Sequence, residues 1–208
     1  MTEIHATGTA ETHHLAERAT VQAHTSVASR DRSQSIQTAS ALHNRIVERA
    51  QQLRGAGDAT WHAASPISTW TRKTYAEGSR TRVILEHVTT SNVSVKLANL
   101  DLVSQLVNEL TEAGASTNVT WTLTEQSRRT HERAARKAAV ASAREIADDY
   151  ADALGERVVQ VASISDVEGR PVAPMGMMRA SAEATETAEV TIQEITVRAS
   201  VTGVFVSE

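Results

Sequence analysis

No cysteine occurs in the 208 residues of the chain. Disulfides, thiolate metal sites and thiol chemistry are therefore excluded together. Aromatic residues are nearly as scarce: three Trp, two Tyr and one Phe make up 3% of the chain. A surface that stacks rings or bases needs more of them. Positive charge is not in excess, since 21 Lys and Arg stand against 25 Asp and Glu, for a net charge of −4. With a pI near 6.1, a broad basic footprint for nucleic acid is not expected. No apolar run reaches the roughly 18 residues of a membrane helix. Met1 to Ala10 hold Glu3 and His5 and lack the basic and apolar segments of a secretory signal, so a cytoplasmic protein is expected. What the chain does have is 40% hydrophobic residues, enough to bury a core. Its length fits one domain, or two small ones.

The hydrophobic pattern begins with period 2. Ile4, Ala6, Gly8 and Ala10 fall on one face of a strand, and Glu3, His5, Thr7, Thr9 and Glu11 on the other. Thr12-His13-His14 reads as a turn, followed by a strand with Ala19, Val21, Ala23, Thr25 and Val27 on one side. The period then lengthens: Ile36, Ala39, His43, Ile46, Ala50 and Leu53 form one helical stripe. Asp31 with Gln34 three residues later fits an N-terminal cap, and Gly55 and Gly57 supply the stop. Ala59 to Tyr75 reads as irregular strand broken at Pro66. Arg80 to Leu97 reads as a long strand with a bend or bulge at Thr89-Thr90-Ser91-Asn92.

A short helix is predicted from about Leu100 to Ala113, with Val103, Leu106, Val107 and Leu110 inward. Val119, Trp121 and Leu123 alternate as a strand. The longest helix is predicted over Gln126 to Leu154, with an inner stripe of Ala139, Ala143, Ile146, Ala147, Tyr150 and Leu154. Alanine is the best helix former, and its small side chain lets a helix lie close to a sheet. Val158 to Ile164 is a further strand, and Asp166 to Glu189 reads as a long loop expected to be mobile. The last strand alternates cleanly, with Ile195, Val197, Ala199, Val201, Gly203 and Phe205 inward.

This order implies an α+β fold: two β-α-β-β halves with largely antiparallel sheet, long helices packed on it and one connecting helix. The pattern repeats at about 15–97 and 116–206 within a single domain.

In its order of elements the chain resembles the SIMPL domain family, a family defined by a domain of unknown function. The residues that carry the resemblance are the glycine-centred opening Ile4-His5-Ala6-Thr7-Gly8-Thr9-Ala10-Glu11 and the middle segment Val93-Ser94-Val95-Lys96-Leu97. They continue with Ala113-Gly114-Ala115 and a strand through Trp121, then the alanine-rich helix with Arg133-Ala134-Ala135-Arg136-Lys137-Ala138 and Leu154-Gly155 at its end. Glu194 to Val206 closes the pattern. Many members of that family carry a leader or lipid anchor, and an envelope location is usual among them. The family supplies no agreed catalytic residues to carry over. By family analogy alone, a stress-related role is implied.

The residues that attract chemistry have plainer readings. There are eight histidines. His13 and His14 are adjacent, so in a strand they point to opposite faces. A hairpin would let His5 and His24 meet on a polar face, but no His-Glu-x-x-His pattern accompanies them, and exposed or structural histidines are expected. His43 lies in an apolar stripe, where a satisfied core or interface histidine is expected. Asp148, Asp149 and Asp152 cluster on the long helix, a pattern usually solvated. Arg128, Arg129, Arg133, Arg136 and Lys137 make its first half basic, but Glu125 and Glu132 dilute the charge. Gly55-Ala56-Gly57 ends a helix and is not a phosphate loop. No G-x-S-x-G elbow is present.

The reading that follows is a non-enzymatic, self-associating structural or interaction protein. No catalytic residue, cofactor or metal site is expected, and nucleic acid is an unlikely partner. The alternative is a small-ligand or metal-binding protein using the cleft between the two halves. The strands Arg80 to Leu97 and Glu194 to Val206 are expected to leave unpaired edges, which proteins must cover, charge or pair. Arg198 is the only charge between Thr196 and Val206. Val204 and Val206 on that strand's otherwise polar face, with Met175, Met177 and Met178, are the expected interface residues.

Overall fold

The computed structural model describes residues 1–75, 83–167 and 190–208. The elements run β1 (Thr2–Leu15), β2 (Arg18–Ser29), α1 (Arg32–Gly55), β3 (Ala59–Ala64), β4 (Ser68–Tyr75) and β5 (Val83–Leu97). After a 3-10 turn at Leu100–Leu102 come α2 (Val103–Glu112), β6 (Ser116–Thr122), α3 (Glu125–Ala153), β7 (Val158–Asp166) and β8 (Glu194–Ser207). The class is α+β with two antiparallel sheets. Of the loop expected over Asp166 to Glu189, Asp166 is the last residue of β7, and residues 168–189, with Met175, Met177 and Met178, lie outside the described residues, as do residues 80–82 of the strand expected from Arg80.

The chain divides into two compact units. The first gathers β1, α3, β7 and β8, with strand order β1-β8-β7. The second gathers β2 to β6 with α1 and α2, in the order β3-β5-β2-β6, and β4 pairs β5 beyond β3. β1 and β2 therefore belong to different sheets and do not form a hairpin. β1 continues straight through Thr12-His13-His14, pairing with β8 from Thr2↔Ser207 to Leu15↔Glu194. The predicted turn is absent because all three residues have ladder partners on β8, a strand about 180 positions away in the sequence. β6, although it follows the connecting helix, pairs with β2 in the second unit.

In the first unit, α3 packs on β1 and β8. Its buried row is Ala135, Ala139, Ala143, Ala147 and Ala151, spaced four apart. Tyr150 and Leu154, expected on the stripe, are 56% and 62% exposed. A row with i, i+4 spacing advances about 40° around the helix at each step and so runs obliquely to the helix axis, and its small methyl groups let α3 lie close to the sheet. Facing it are Ile4, Ala6, Val201 and Phe205. Gly8 lies at the closest approach. A methyl group there would meet the Ala139 carbonyl oxygen and the Ala143 amide nitrogen well inside contact distance, and the Ala143 Cα at 2.8 Å. Glu156 closes the end of this unit, accepting from the Ser207 hydroxyl at 2.6 Å and the Thr2 hydroxyl at 2.9 Å. These two hydrogen bonds hold its carboxyl below the usual carboxylate range.

In the second unit, α1 is capped by Asp31, which accepts from the backbone N–H of Ser33 at 2.8 Å and of Gln34 at 3.4 Å. Gly57, at φ 86, follows the Ala56 C-cap. The buried side of α1 is Ser35, Ala39, Ile46, Ala50 and Leu53; Ile36 is exposed. Ser35 goes inward because its hydroxyl has partners there: it donates to the Val27 carbonyl oxygen at 3.0 Å and bonds the Thr89 hydroxyl at 2.7 Å. Thr89 also bonds Thr69 at 3.0 Å, and Thr25 bonds Ser91 at 2.9 Å. This buried hydroxyl set keeps Thr89-Thr90-Ser91-Asn92 inside β5. The β2–β5 register is unbroken there, so of the expected bend or bulge the bulge does not occur.

Candidate interaction surface

Of the two strands expected to expose edges, each is paired on both sides over part of its length: β5 from His87 onward and β8 from Val201 onward; among the described residues Glu194 to Ser200 of β8 pair on one side only. β5 has β2 on one side and β3 and β4 on the other. β8 has β1 along its whole length, and β7 against Val201 to Ser207. From Val201 to Ser207, where β8 is paired on both sides, it carries no charge, and a strand so paired needs none to deter new partners.

Of the two edge strands of the first sheet, β1 and β7, the one without charge along most of its length is β7. Among the described residues it pairs with β8 alone. It carries no charge from Val158 to Ser165, no proline, and ends on Asp166. Beyond Val158 every residue of β7 is exposed, and Val159, Val161 and Ile164 are between 41% and 46% exposed. Val161 and Ile164 stand opposite Phe205 and Gly203, whose side of the sheet α3 occupies. The helix, however, lies over β1 and β8 and scarcely reaches β7. At the start of β7, Arg144 Nη2 donates to the Val158 carbonyl oxygen at 3.2 Å and the Val158 side chain packs against the core cluster that holds the alanine row. Two register irregularities, between Val158 and Gln160 and between Val161 and Ser163, locally raise the twist of this edge. On the opposite face of the sheet, Val204 and Val206 are half-buried and stand beside Ser163 and Gln160 of β7.

The remaining candidates are dispersed. His5 bonds Glu3 at 2.7 Å in the first unit, and His24 bonds Asn92 at 2.8 Å in the second, so they do not meet across a hairpin. His13 and His14 do point to opposite faces. His13 bonds Thr196 and lies 3.4 Å from Glu11, while His14 stacks on His131. His43 is half-buried and its Nδ1 has no hydrogen-bond partner among the described residues, which departs from a satisfied core histidine but does not test an interface one. Asp148 is taken by Arg144 at 3.1 Å, which separates it from Asp149 and Asp152. Of the basic run, Arg128 binds Glu125 and Glu132, and Arg129 binds Glu125. Those arginines hold the Glu125 carboxyl below its usual range, and Glu125 and Glu132 raise the Arg128 guanidinium. Among the described residues no three His, Asp or Glu side chains are grouped to hold a metal ion.

A shallow groove runs between α1 and α2, floored by Ile46 and Leu110. Arg49 spans it, giving Glu109 a two-pronged contact at 2.8 and 3.1 Å. That contact, with the Gln105 amide adding to it, holds the Glu109 carboxyl below its usual range. The groove mixes Arg45 and Arg49 with Glu48, Glu109 and Glu112, so it favours ligands of neither sign.

No described helix is long and apolar enough to cross a membrane. The family model of SIMPL, described as a protein of unknown function (DUF541), matches residues 4–205. The chain therefore belongs to the SIMPL family. Among curated proteins none matches it.

Proposed function

We propose that this SIMPL protein is a non-enzymatic, self-associating interaction protein, and that copies join through β7. The supporting observation is the character of that strand: an edge with a charge-free run from Val158 to Ser165 and apolar side chains in water. Monomeric proteins blunt such edges with charge, proline or bulges, because open N–H and C=O groups recruit further strands; of these devices the run from Val158 to Ser165 has only its two register irregularities. Antiparallel pairing of β7 with β7 of a second copy about a two-fold axis sets no two charges against each other, since Asp166 falls near Val158 of the partner. The symmetric contact closes on itself and avoids open-ended growth. Val204 and Val206 extend the same surface on the far face, and Met175, Met177 and Met178 remain part of the proposed interface. A stress-related role rests on family analogy alone.

Amide hydrogen exchange measured at two protein concentrations tests this. Val159 to Ser165 should gain protection as concentration rises, while β6, also an edge strand, should not change. Equal exchange in β7 at both concentrations, in a range where the mass in solution increases, would reject β7 as the contact.

A further inference from the structure

We infer that the solvent face of the second sheet is a binding track for a neutral, extended polysaccharide of the β-1,4-linked type, with Trp61 and Trp70 as its two stacking platforms. α1 and α2 pack on the other face of this sheet, where Ser35 of α1 meets Thr89. Trp61 stands opposite Lys96 and Trp70 opposite Val88, so both indoles fall on the face away from Thr89. They are 47% and 48% exposed, whereas Trp121 is buried on the helix side. β3 and β4 flank β5 on the same side, so the two rings mark the ends of one track beside that strand. Lys96 and Val88 are eight residues apart on β5, about 26 Å at the rise of a strand.

Trp61 owes its position to an irregularity in β3. Ala59 is buried opposite Leu97, and regular alternation would aim Trp61 at the helices too. The register shift between Ala59 and Trp61 turns the indole outward instead, as bulges do where a side chain is re-aimed. Thr60, the extra residue, ties the bulge down by donating to the Lys96 carbonyl oxygen at 3.3 Å. Aromatic residues are scarce in this chain, yet two of its three Trp are spent on one solvent face, one of them through this device.

Between the indoles, Thr90, Asn92 and Ser94 of β5, with Gln22 of β2 and Asn118 of β6, share this face. Their hydroxyls and amides both donate and accept. Among the described residues Lys96 is the one full charge in this span; His24 bonds Asn92 at 2.8 Å. Past Trp70, Arg72 and Glu86 pair with each other at 2.9 Å. An uncharged ligand rich in hydroxyls complements this set. The C–H groups on the face of a sugar ring pack on the negative face of an indole, and hydroxyls at the ring edge reach amides and hydroxyls beside it. An open sheet face fits a polymer, whereas single small ligands take enclosed pockets. A β-1,4-linked chain is a straight ribbon that can follow a strand, unlike the coiled α-1,4 chain. Both platforms belong to the second unit, so the track is separate from β7 and stands independently of self-association.

The test titrates the full chain with cellohexaose and with N-acetylchitohexaose, reading tryptophan fluorescence and the heat of binding. Saturable binding of at least one of them is expected, with none of maltohexaose. Trp61→Ala and Trp70→Ala should each weaken binding by about tenfold or more, as loss of an anchoring indole does. Trp61→Tyr, which keeps a ring face, should restore most of it, and circular dichroism checks that each variant is folded. No binding of either β-1,4 probe at millimolar concentration, equal binding of maltohexaose, or binding that survives loss of both indoles would overturn the track. So would binding confined to an anionic β-1,4 oligomannuronate and abolished by salt, which would make Lys96 and not the indoles the contact.

Discussion

Gly8 of β1 and Ala143 of α3 touch through their backbones. A methyl group placed on Gly8 would lie 2.8 Å from the Ala143 Cα and closer to its amide nitrogen. The atoms in the way are main chain and cannot rotate aside, so only a shift of the whole helix makes room. Gly8→Ala is expected to destabilise the first unit by about 1–3 kcal/mol or more. A thermal melt reads this directly, and an unchanged midpoint would show that α3 does not seat on Gly8.

The same contact seen from the helix gives a second expectation. Ala143 is 1% exposed against β1, whereas Tyr150 is 56% exposed. Ala143→Leu should cost about 1–3 kcal/mol by overpacking. Tyr150→Ala should stay within roughly 0.5 kcal/mol, as surface changes usually do. Urea unfolding of the two variants checks the ordering; equal effects would contradict the buried alanine row.

Much of this arrangement was legible in the sequence, and what failed did so for one physical reason. Period-2 and period-3.6 patterns are local, so β1, β2, α1, α2 and α3 follow from the spacing of their apolar residues. Pairing order is not local. Nothing within Thr12-His13-His14 reveals that β8, from the other end of the chain, continues the ladder beside it. For the same reason the edges of the first sheet fell on β1 and on β7, both read correctly as strands, while β8 lies between them. Ser35 displaced Ile36 from the buried face because of a hydroxyl partner, Thr89, 54 residues away. An uncharged, proline-free run in β7 was the available signal for the interaction surface, but it gains meaning only once its neighbours are known.

Asp31 holds the start of α1 by accepting from two backbone N–H groups. Asp31→Ala should cost about 0.5–2 kcal/mol, and Asp31→Asn much less, because asparagine keeps the accepting oxygen. Denaturant midpoints with an unchanged slope would confirm a capping effect.

Acid should weaken the α1–α2 contact. The Glu109 carboxyl is held below its usual range chiefly by the Arg49 hydrogen bond. A group depressed in the folded state stabilises at pH values above its unfolded value, here 4.5, and loses that contribution as pH falls through its folded value. The pair is about one-third exposed, so screening limits it to under about 1 kcal/mol. Glu109→Gln should therefore lower stability at pH 7 and narrow its gap to the wild type below about pH 4. A gap that is constant from pH 7 to pH 3 would contradict this.

Light scattering on the intact protein and on a Val161→Lys, Ile164→Lys variant tests self-association through β7 most directly. Both side chains are exposed, at 41% and 46%, so the variant is expected to keep its fold by circular dichroism. The account predicts a wild-type mass at micromolar concentration that is a whole multiple of 22.4 kDa, falling toward a single chain in the variant. A wild-type mass of 22.4 kDa would contradict self-association, and a larger assembly unchanged in the variant would contradict β7 as its contact.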